Sequence, residues 1–244
     1  MDLENKNIDI REVKKLYDSM IDIWPQNDKW YAYTYKRIQR FLKKWEKRLK
    51  WNNSIQVLNA GSGGNTYGIS GHHLHLDITS THIQENQDFI ISSIESIPLD
   101  DNLFDLCICV GSVINYCNAM QGISEISRTL KQGGYLILEF DQSKNYEFLG
   151  TATYNSNLDI VNTFNSGFED KIWVYSEKYI KSILTHYNLR VVNIQYFHSL
   201  SSLIYKFLCD EQKAAKFVHF DKIINLIPGI RKISNNIILI AQKF

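Results

Sequence analysis

The 244-residue sequence contains four cysteines, and none of them has the CxxC spacing that zinc ribbons and redox sites use. Three of the four, Cys107, Cys109 and Cys117, fall in one apolar region, so we expect buried, reduced thiols and no disulfide framework. Long apolar runs are also missing, because no stretch approaches the roughly 18 residues of a membrane-spanning helix. The opening residues lack the basic start and apolar core of a secretory signal. These absences favour a cytoplasmic protein without a membrane segment.

The sequence also lacks an excess of either positive or negative charge. The formal net charge is only +1, which gives the whole protein no attraction to nucleic acid or to an anionic membrane. Basic residues concentrate in KRIQRFLKKWEKRLK, residues 36–50, which could contact RNA or a membrane surface. The same segment carries an apolar stripe of Ile38, Phe41, Leu42 and Trp45, which predicts burial of that stripe and a solvated basic face. We therefore expect no nucleic-acid partner.

The apolar pattern divides the chain in two. Residues 10–23 and 34–50 repeat apolar positions every three or four residues, so residues 1–50 are predicted to form a helical extension or lid. From residue 55, short apolar runs alternate with helical stretches, which is typical of a parallel sheet. The main domain is then 51–244, with a helical insertion at about 199–233.

Seven strands and two further helices are predicted in that domain. The helices are about 118–131, ended by Gly133-Gly134, and 176–187, while residues 141–172 are polar and give no clear pattern. The predicted strands are 55–60, 72–78, 88–94, 105–112, 134–140, 189–197 and 235–244.

A glycine-rich loop follows the first predicted strand, in VLNAGSGGNTYG, residues 57–68. It lacks the Gly-Lys-Ser/Thr ending of a Walker phosphate loop. It also departs from the dinucleotide fingerprint, since Thr66 stands where the last small residue belongs. Asp77 ends the next strand, where a carboxylate can accept the hydroxyls of a ribose. The pattern therefore favours a nucleoside ligand.

Four features in this order resemble the class I S-adenosylmethionine-dependent methyltransferase family. They are the glycine loop, Asp77, the Ile97-Pro98 and Phe104-Asp105 spacing before the fourth strand, and RTLKQGG at 128–134 before the fifth. The resemblance covers roughly residues 55–142. It implies a doubly wound α/β fold with a mostly parallel seven-stranded sheet and an antiparallel last strand. It also implies S-adenosyl-L-methionine as cofactor.

The resemblance further implies which positions hold that cofactor. Gly61 and Gly63 would line its methionine part, Asp77 would bind the ribose, and the end of the third strand would meet the adenine. Asn59 stands where many family members have an acid, so it would offer a hydrogen bond without charge. The implied cofactor contacts are Asn59, Gly61, Gly63, Asp77, Ile78, Ser93, Ile94, Val110 and Gly111.

The expected reaction is methyl transfer to an oxygen or nitrogen of a small-molecule acceptor. The fourth strand ends in VGSVINYC, without the Asn-Pro-Pro-Tyr run of methyltransferases that act on base amino groups. Tyr116 follows that strand, where ligands of open α/β sheets gather. Trp30 and Tyr33, from the aromatic stretch 24–35, are predicted to contact the acceptor. A general base is optional in this chemistry, and the candidates Glu139, Asp141 and His198 cannot be separated by spacing.

Other readings of the same residues stay open. His73, His75 and Asp77 share one strand face and could bind a metal, but Asp77 is better used on ribose, so we predict no metal. The basic helix leaves an RNA methyltransferase as a rival. Asn59, Asn65 and the missing base leave a cofactor-binding module without turnover, and a nicotinamide dehydrogenase comes third. The sequence does not indicate an oligomeric state.

Overall fold

The computed structural model describes residues 8–165, 168–221, 227 and 229–244. Nine strands and six α-helices lie within these ranges, with short 3-10 helices between them. The helices are α1 (Ile10–Ser19), α2 (Lys29–Leu49), α3 (Ala119–Thr129), α4 (Glu177–His186), α5 (Leu200–Leu208) and α6 (Glu211–Ala214). The strands are β1 (Gln56–Ala60), β2 (His72–Asp77), β3 (Asp88–Ile91), β4 (Phe104–Cys109), β5 (Leu130–Asp141), β6 (Leu158–Asn165), β7 (Phe168–Tyr175), β8 (Leu189–Phe197) and β9 (Asn236–Lys243).

Seven of the strands form one sheet in the order β3-β2-β1-β4-β5-β9-β8. Neighbours from β3 to β5 pair in parallel, whereas β9 runs antiparallel to both β5 and β8. The prediction of a mostly parallel sheet with an antiparallel last strand is therefore confirmed. The strand order reverses between β1 and β4, which creates a crevice at the carboxyl ends of these strands. The glycine loop leaves β1 at this crevice.

Both faces of the sheet are covered, as expected for strands that are nearly continuous apolar runs. On one face, α2 buries Ile38 and Trp45 against β1 and β4. On the other face, α3 and α4 bury Ile123 and Ile180 in a second cluster. The basic side chains of α2 lie mostly on its solvent side. Helix α2 therefore shares a hydrophobic core with the sheet. The predicted domain boundary at residue 50 stays a prediction.

The start of α2 lies earlier than its apolar pattern predicts. The Asp28 carboxylate caps the helix by accepting hydrogen bonds from the N–H groups of Trp30 and Tyr31. Such a cap satisfies donors that have no partner inside the helix. The helix therefore begins at Lys29, and the four aromatic residues between positions 30 and 35 lie on its first turns.

One prediction about the middle of the chain is wrong, and one segment without a prediction contains regular structure. Helix α3 is not ended by the glycine pair, because Leu130 is already extended and pairs with Phe104, and Gly133 lies within a bulged part of β5. The segment 141–172, which gave no clear pattern, contains a 3-10 helix (Tyr146–Phe148) and β6 of the β6-β7 hairpin. The polar residues of that hairpin obscure the alternation that identifies a strand.

The insertion before the last strand is helical where the structure describes it. It consists of α5, α6 and the 3-10 helices Ala215–Phe220 and Ile230–Lys232. Residues 222–226 and 228 of the predicted insertion lie outside the described residues. Over the described part of the chain, no helix combines the length and the apolar character needed to cross a bilayer.

Candidate active site

A cavity of about 240 Å³ opens at the carboxyl ends of the parallel strands. The glycine loop and the ends of β2, β3 and β4 form one part of its wall. The N-terminal segment, the β6-β7 hairpin and the insertion form the remainder. Eleven of the sequence-predicted site residues line it, namely Trp30, Gly61, Gly63, Asp77, Ile78, Ser93, Ile94, Val110, Gly111, Tyr116 and Asp141. The functional role of each one stays a prediction.

The glycine loop approaches its neighbours too closely for side chains. Gly61 has a φ of +71°, and a Cβ there would lie 2.4 Å from the Val113 side chain. Gly63 also has a positive φ, of +49°. Only glycine adopts such backbone readily. The turn that results exposes backbone toward the cavity, as a bound ligand requires.

Asp77 joins the end of β2 to this loop. Its Oδ2 accepts a hydrogen bond of 2.9 Å from the Gly63 N–H, and its Oδ1 accepts one of 3.3 Å from the Thr79 N–H. Burial raises the pKa of the carboxyl, and these backbone donors act in the opposite direction. A carboxylate has about four lone-pair positions, so acceptor capacity remains for two ribose hydroxyls. The residues present therefore fit the nucleoside part of S-adenosylmethionine.

The neighbouring histidines of β2 support the loop and do not assemble a metal site. The ring of His75 lies 2.7 Å from Ser62 Oγ through Nδ1, and burial lowers its pKa to about 4. The ring of His73 lies 2.7 Å from the Asn59 side-chain nitrogen and 2.7 Å from the Ile69 carbonyl oxygen. No group of three potential metal ligands occurs among the described residues.

Asn59 does not line the cavity, which corrects its predicted contact with the cofactor. Its side chain is fully buried within the sheet, where it bonds to His73. Alternate side chains of a strand point to opposite faces, and Asn59 shares its face of β1 with Val57. The ammonium of a bound cofactor would have to find its acceptors elsewhere, for example in the carbonyl groups of the loop.

The N-terminal segment covers the cofactor end of the cavity. The Asp18 carboxylate of α1 accepts hydrogen bonds from the hydroxyls of Thr79 and Thr81, just after β2. Past the end of α1, the Ile23 side chain lies where a Cβ of Gly63 would be. Helix α1 is thus attached to the segment that follows Asp77, and its role as a lid stays a prediction.

Trp30 contributes one wall of the cavity, with two predicted site residues behind it. The His198 ring stacks on the indole with 3.7 Å between ring centroids. Its nitrogens lie 2.9 Å from Thr34 Oγ1 and 3.0 Å from Ser201 Oγ, and burial lowers its pKa well below the ordinary range. Tyr33 meets the same ring edge-on at 5.1 Å. Because His198 and Tyr33 pack behind Trp30, neither lines the cavity, which corrects both predictions.

Glu139, like His198 and Tyr33, does not line the cavity. Its carboxylate is fully buried and accepts hydrogen bonds of 2.8 Å from the N–H groups of Gly111 and Ser112. It also accepts one of 2.7 Å from the Asn236 side chain. Glu139 therefore fixes the loop after β4, and it cannot reach an acceptor as a base. Of the predicted bases only Asp141 borders the cavity.

Tyr116 borders the cavity with its hydroxyl already engaged. The hydroxyl donates a hydrogen bond of 2.6 Å to Asp170 Oδ2 on β7, and the ring meets Tyr17 of α1 edge-on at 5.8 Å. Burial raises the pKa of this phenol well above its usual range. Tyr116 therefore joins the lid, the hairpin and the β4 loop at one point.

The cavity residues that carry no predicted role include Glu147, Phe148, Tyr205 and Glu211. The first two lie in the 3-10 helix that follows β5, and the other two lie in the insertion. Their local sequence carries no motif, and only the fold brings them together. The polar segment after β5, placed at the ligand edge of the sheet, was the one available signal.

Comparison with known proteins agrees with this architecture. The family described as Methyltransferase domain matches residues 52–138, from just before β1 into β5. No curated protein sequence matches the chain significantly.

Many solved structures match over most of the chain, and three of them share a TM-score of 0.52. The 1,6-didemethyltoxoflavin-N1-methyltransferase of Burkholderia thailandensis, solved with S-adenosylhomocysteine, is 10% identical, with 96% of this chain and 83% of that chain covered. An S-adenosylmethionine-dependent methyltransferase of Methanosarcina mazei is 15% identical, with coverage of 81% and 96%. The cyclase SpnF is also 15% identical, with coverage of 84% and 80%.

At such low identity these structures establish the fold, and a fold can host several activities. The matched domain, the glycine loop and Asp77 at the end of β2 carry the assignment further. Together they indicate a class I S-adenosylmethionine-dependent methyltransferase.

Proposed function

We propose that this protein transfers a methyl group from S-adenosylmethionine to an oxygen or nitrogen of a small molecule held in the covered cavity. The observation that carries the proposal is the continuity of the cavity, which runs from the glycine loop and Asp77 to an aromatic end at Trp30. A ligand at each end would share one space. Such positioning supplies much of the acceleration in methyl transfer.

The chain's own residues hold and orient the reactants. Gly61, Gly63 and Asp77 would hold the cofactor, with Ile94 beside the adenine. When bound, S-adenosylmethionine supplies an activated methyl group whose bonding electrons stay on sulfur after transfer. The lid formed by α1 and Ile23 would exclude water from this reaction.

RNA is disfavoured as the acceptor by the position of the basic charge. Apart from Lys29 at its start, the exposed basic side chains of α2 lie beyond Thr34, and none of them, Lys29 included, lines the cavity. The acceptor end is instead formed by aromatic and acidic side chains. A strand of RNA bound to α2 would lie away from the methyl group.

Calorimetric titration with S-adenosylmethionine and S-adenosylhomocysteine tests the proposal. We expect micromolar binding of both, weakened by about 100-fold in Asp77→Ala, because two hydrogen bonds to a charged group are lost. Asp88→Ala is the matched control, since this exposed residue starts the neighbouring strand away from the cavity. Binding that survives in Asp77→Ala, or exclusive binding of NAD, would overturn the proposal.

A further inference from the structure

The charge at the cavity wall is one-sided. Four carboxyl groups line it, on Asp77, Asp141, Glu147 and Glu211. Within the part of the chain that the structure describes, no lysine or arginine lines the cavity. His82 is the one basic side chain among the described lining residues. Asp77 lies at the glycine loop, which leaves three carboxyl groups for the rest of the cavity.

Those three groups are half-buried and interact electrostatically with one another. Burial raises the pKa of Asp141 well above its usual range, and the nearby carboxylates of Glu139, Glu147 and Glu211 add to that effect. Burial, followed by the neighbouring Glu211, raises the pKa of Glu147 to about 7. For Glu211 the pKa rises to about 7 as well, from burial first and then from Asp28 and Asp210.

Hydrogen bonding leaves part of this group free to receive a ligand. Asp141 accepts bonds from Ser112 and Asn236 through Oδ1, while Oδ2 accepts none from the described residues. The Glu211 carboxylate also accepts no hydrogen bond from the described residues. Both residues are half-buried and line the cavity, so these oxygens are open to it. In a cavity wall, such atoms are the ones that a ligand satisfies.

Aromatic rings stand beside the carboxyl groups. The centroids of Trp30 and Tyr205 are 6.2 Å apart, and Phe148 lines the same end of the cavity. Burial raises the pKa of the Tyr205 phenol, and both Glu147 and Glu211 contribute, which places them near this ring. Carboxylates with aromatic faces are the combination that stabilises a buried cation.

We infer that the acceptor is a positively charged amine, bound between Trp30, Tyr205 and the carboxyl groups of Asp141, Glu147 and Glu211, and methylated on nitrogen. This inference rests on the proposed function and narrows its acceptor class. A phenolate or carboxylate acceptor would find no cation to pair with among the same groups. A nucleic-acid backbone would find none either.

The carboxyl groups also meet a chemical need of an amine acceptor. An ammonium has no lone pair, so it must give up one proton before the nitrogen can form a bond to the methyl carbon. A carboxylate in the wall can take that proton and become a neutral acid, and burial makes this form stable. The nitrogen then gains the positive charge that leaves the sulfur, and this cation stays between the same aromatic and acidic side chains.

Ligand binding measured by NMR tests the inference without requiring turnover. Protein saturated with S-adenosylhomocysteine is titrated with phenethylamine, phenethyl alcohol and phenylacetate, which share a ring and differ in charge. We expect the amine to bind at least about tenfold more tightly than either of the others, the value of one hydrogen bond to a charged group. The preference should vanish in Glu147→Gln/Glu211→Gln, and Glu85→Gln, which changes an exposed acid that does not line the cavity, should retain it.

Three results would overturn the inference. They are equal or tighter binding of the alcohol or the acid, an amine preference that persists in the double variant, and no amine binding at millimolar concentration. Binding of S-adenosylhomocysteine is measured first on each protein. If the unaltered protein does not bind S-adenosylhomocysteine, the result counts against the proposed function. If it binds S-adenosylhomocysteine but shows no amine preference, only the inference about the amine is overturned.

Discussion

The Glu147→Gln variant should become more stable than the unaltered protein at alkaline pH and not at acidic pH. Burial raises the pKa of this carboxyl from its ordinary value of 4.5 to about 7. The folded state therefore holds the proton more tightly than the unfolded state does. The stability that this difference contributes is complete below pH 4.5 and is lost as the pH rises to about 7. Glutamine resembles the protonated acid and cannot ionise, so the variant escapes the loss.

The size of the effect follows from the pKa change. A rise from 4.5 to about 7 corresponds to about 3 kcal/mol of folding free energy. Partial access to water through the cavity reduces it to roughly 2 kcal/mol. Asp141, Glu211 and Tyr205, the ionisable groups around Glu147, are present in both proteins, so their own contributions largely cancel in the difference.

Urea unfolding at pH 4 and pH 8 measures this difference directly. The free energy of unfolding of Glu147→Gln should match the unaltered protein at pH 4 and exceed it by roughly 2 kcal/mol at pH 8. Glu85→Gln, on an exposed turn, should shift both values alike. The same offset at both pH values in Glu147→Gln would refute the reasoning, because it would show that the carboxyl does not ionise within the folded protein at elevated cost.

Two further changes probe the cofactor end. Gly61→Ala should abolish S-adenosylhomocysteine binding and lower the free energy of unfolding by about 1–3 kcal/mol, since the new Cβ meets Val113 at 2.4 Å. Gly150→Ala also has a positive φ but no neighbour within 4 Å, so it should retain binding in the same titration. Asp18→Asn weakens the attachment of α1 and should speed S-adenosylhomocysteine dissociation several-fold in stopped-flow measurements, with the melting temperature nearly unchanged. An unaltered dissociation rate would show that α1 does not retain the ligand.

Much of the fold could be predicted because strong apolar runs coincide with the sheet. All seven strands of the main sheet were found, since central strands such as β4 are buried on both faces and even the exposed edge strand β3 carries a short apolar run. The β6-β7 hairpin was missed because its wall position mixes polar and apolar side chains. Gly133 was misassigned because local preference for a helix end lost to strand pairing of Leu130 with Phe104.

The candidate site was predictable where a motif follows the chain and not where folding brings distant segments together. Gly61, Gly63 and Asp77 line the cavity because the turn from β1 and the end of β2 are fixed by their local sequence. Asn59 and Glu139 were placed on the wrong side of the wall, since strand register alone decides which face a side chain takes. The carboxyl groups of Glu147 and Glu211 carry no local signal at all.

The cavity draws its two ends from different kinds of chain segment, and this has an evolutionary consequence. The cofactor end comes mostly from one continuous stretch, residues 61–111, whereas the acceptor end combines α2, the 3-10 helix after β5 and the insertion. Substitutions at the acceptor end can alter which molecule fits while the cofactor end keeps its geometry. Related chains can therefore acquire new acceptors by changing a few side chains near Trp30 and Glu211, with little cost to the stability of the sheet.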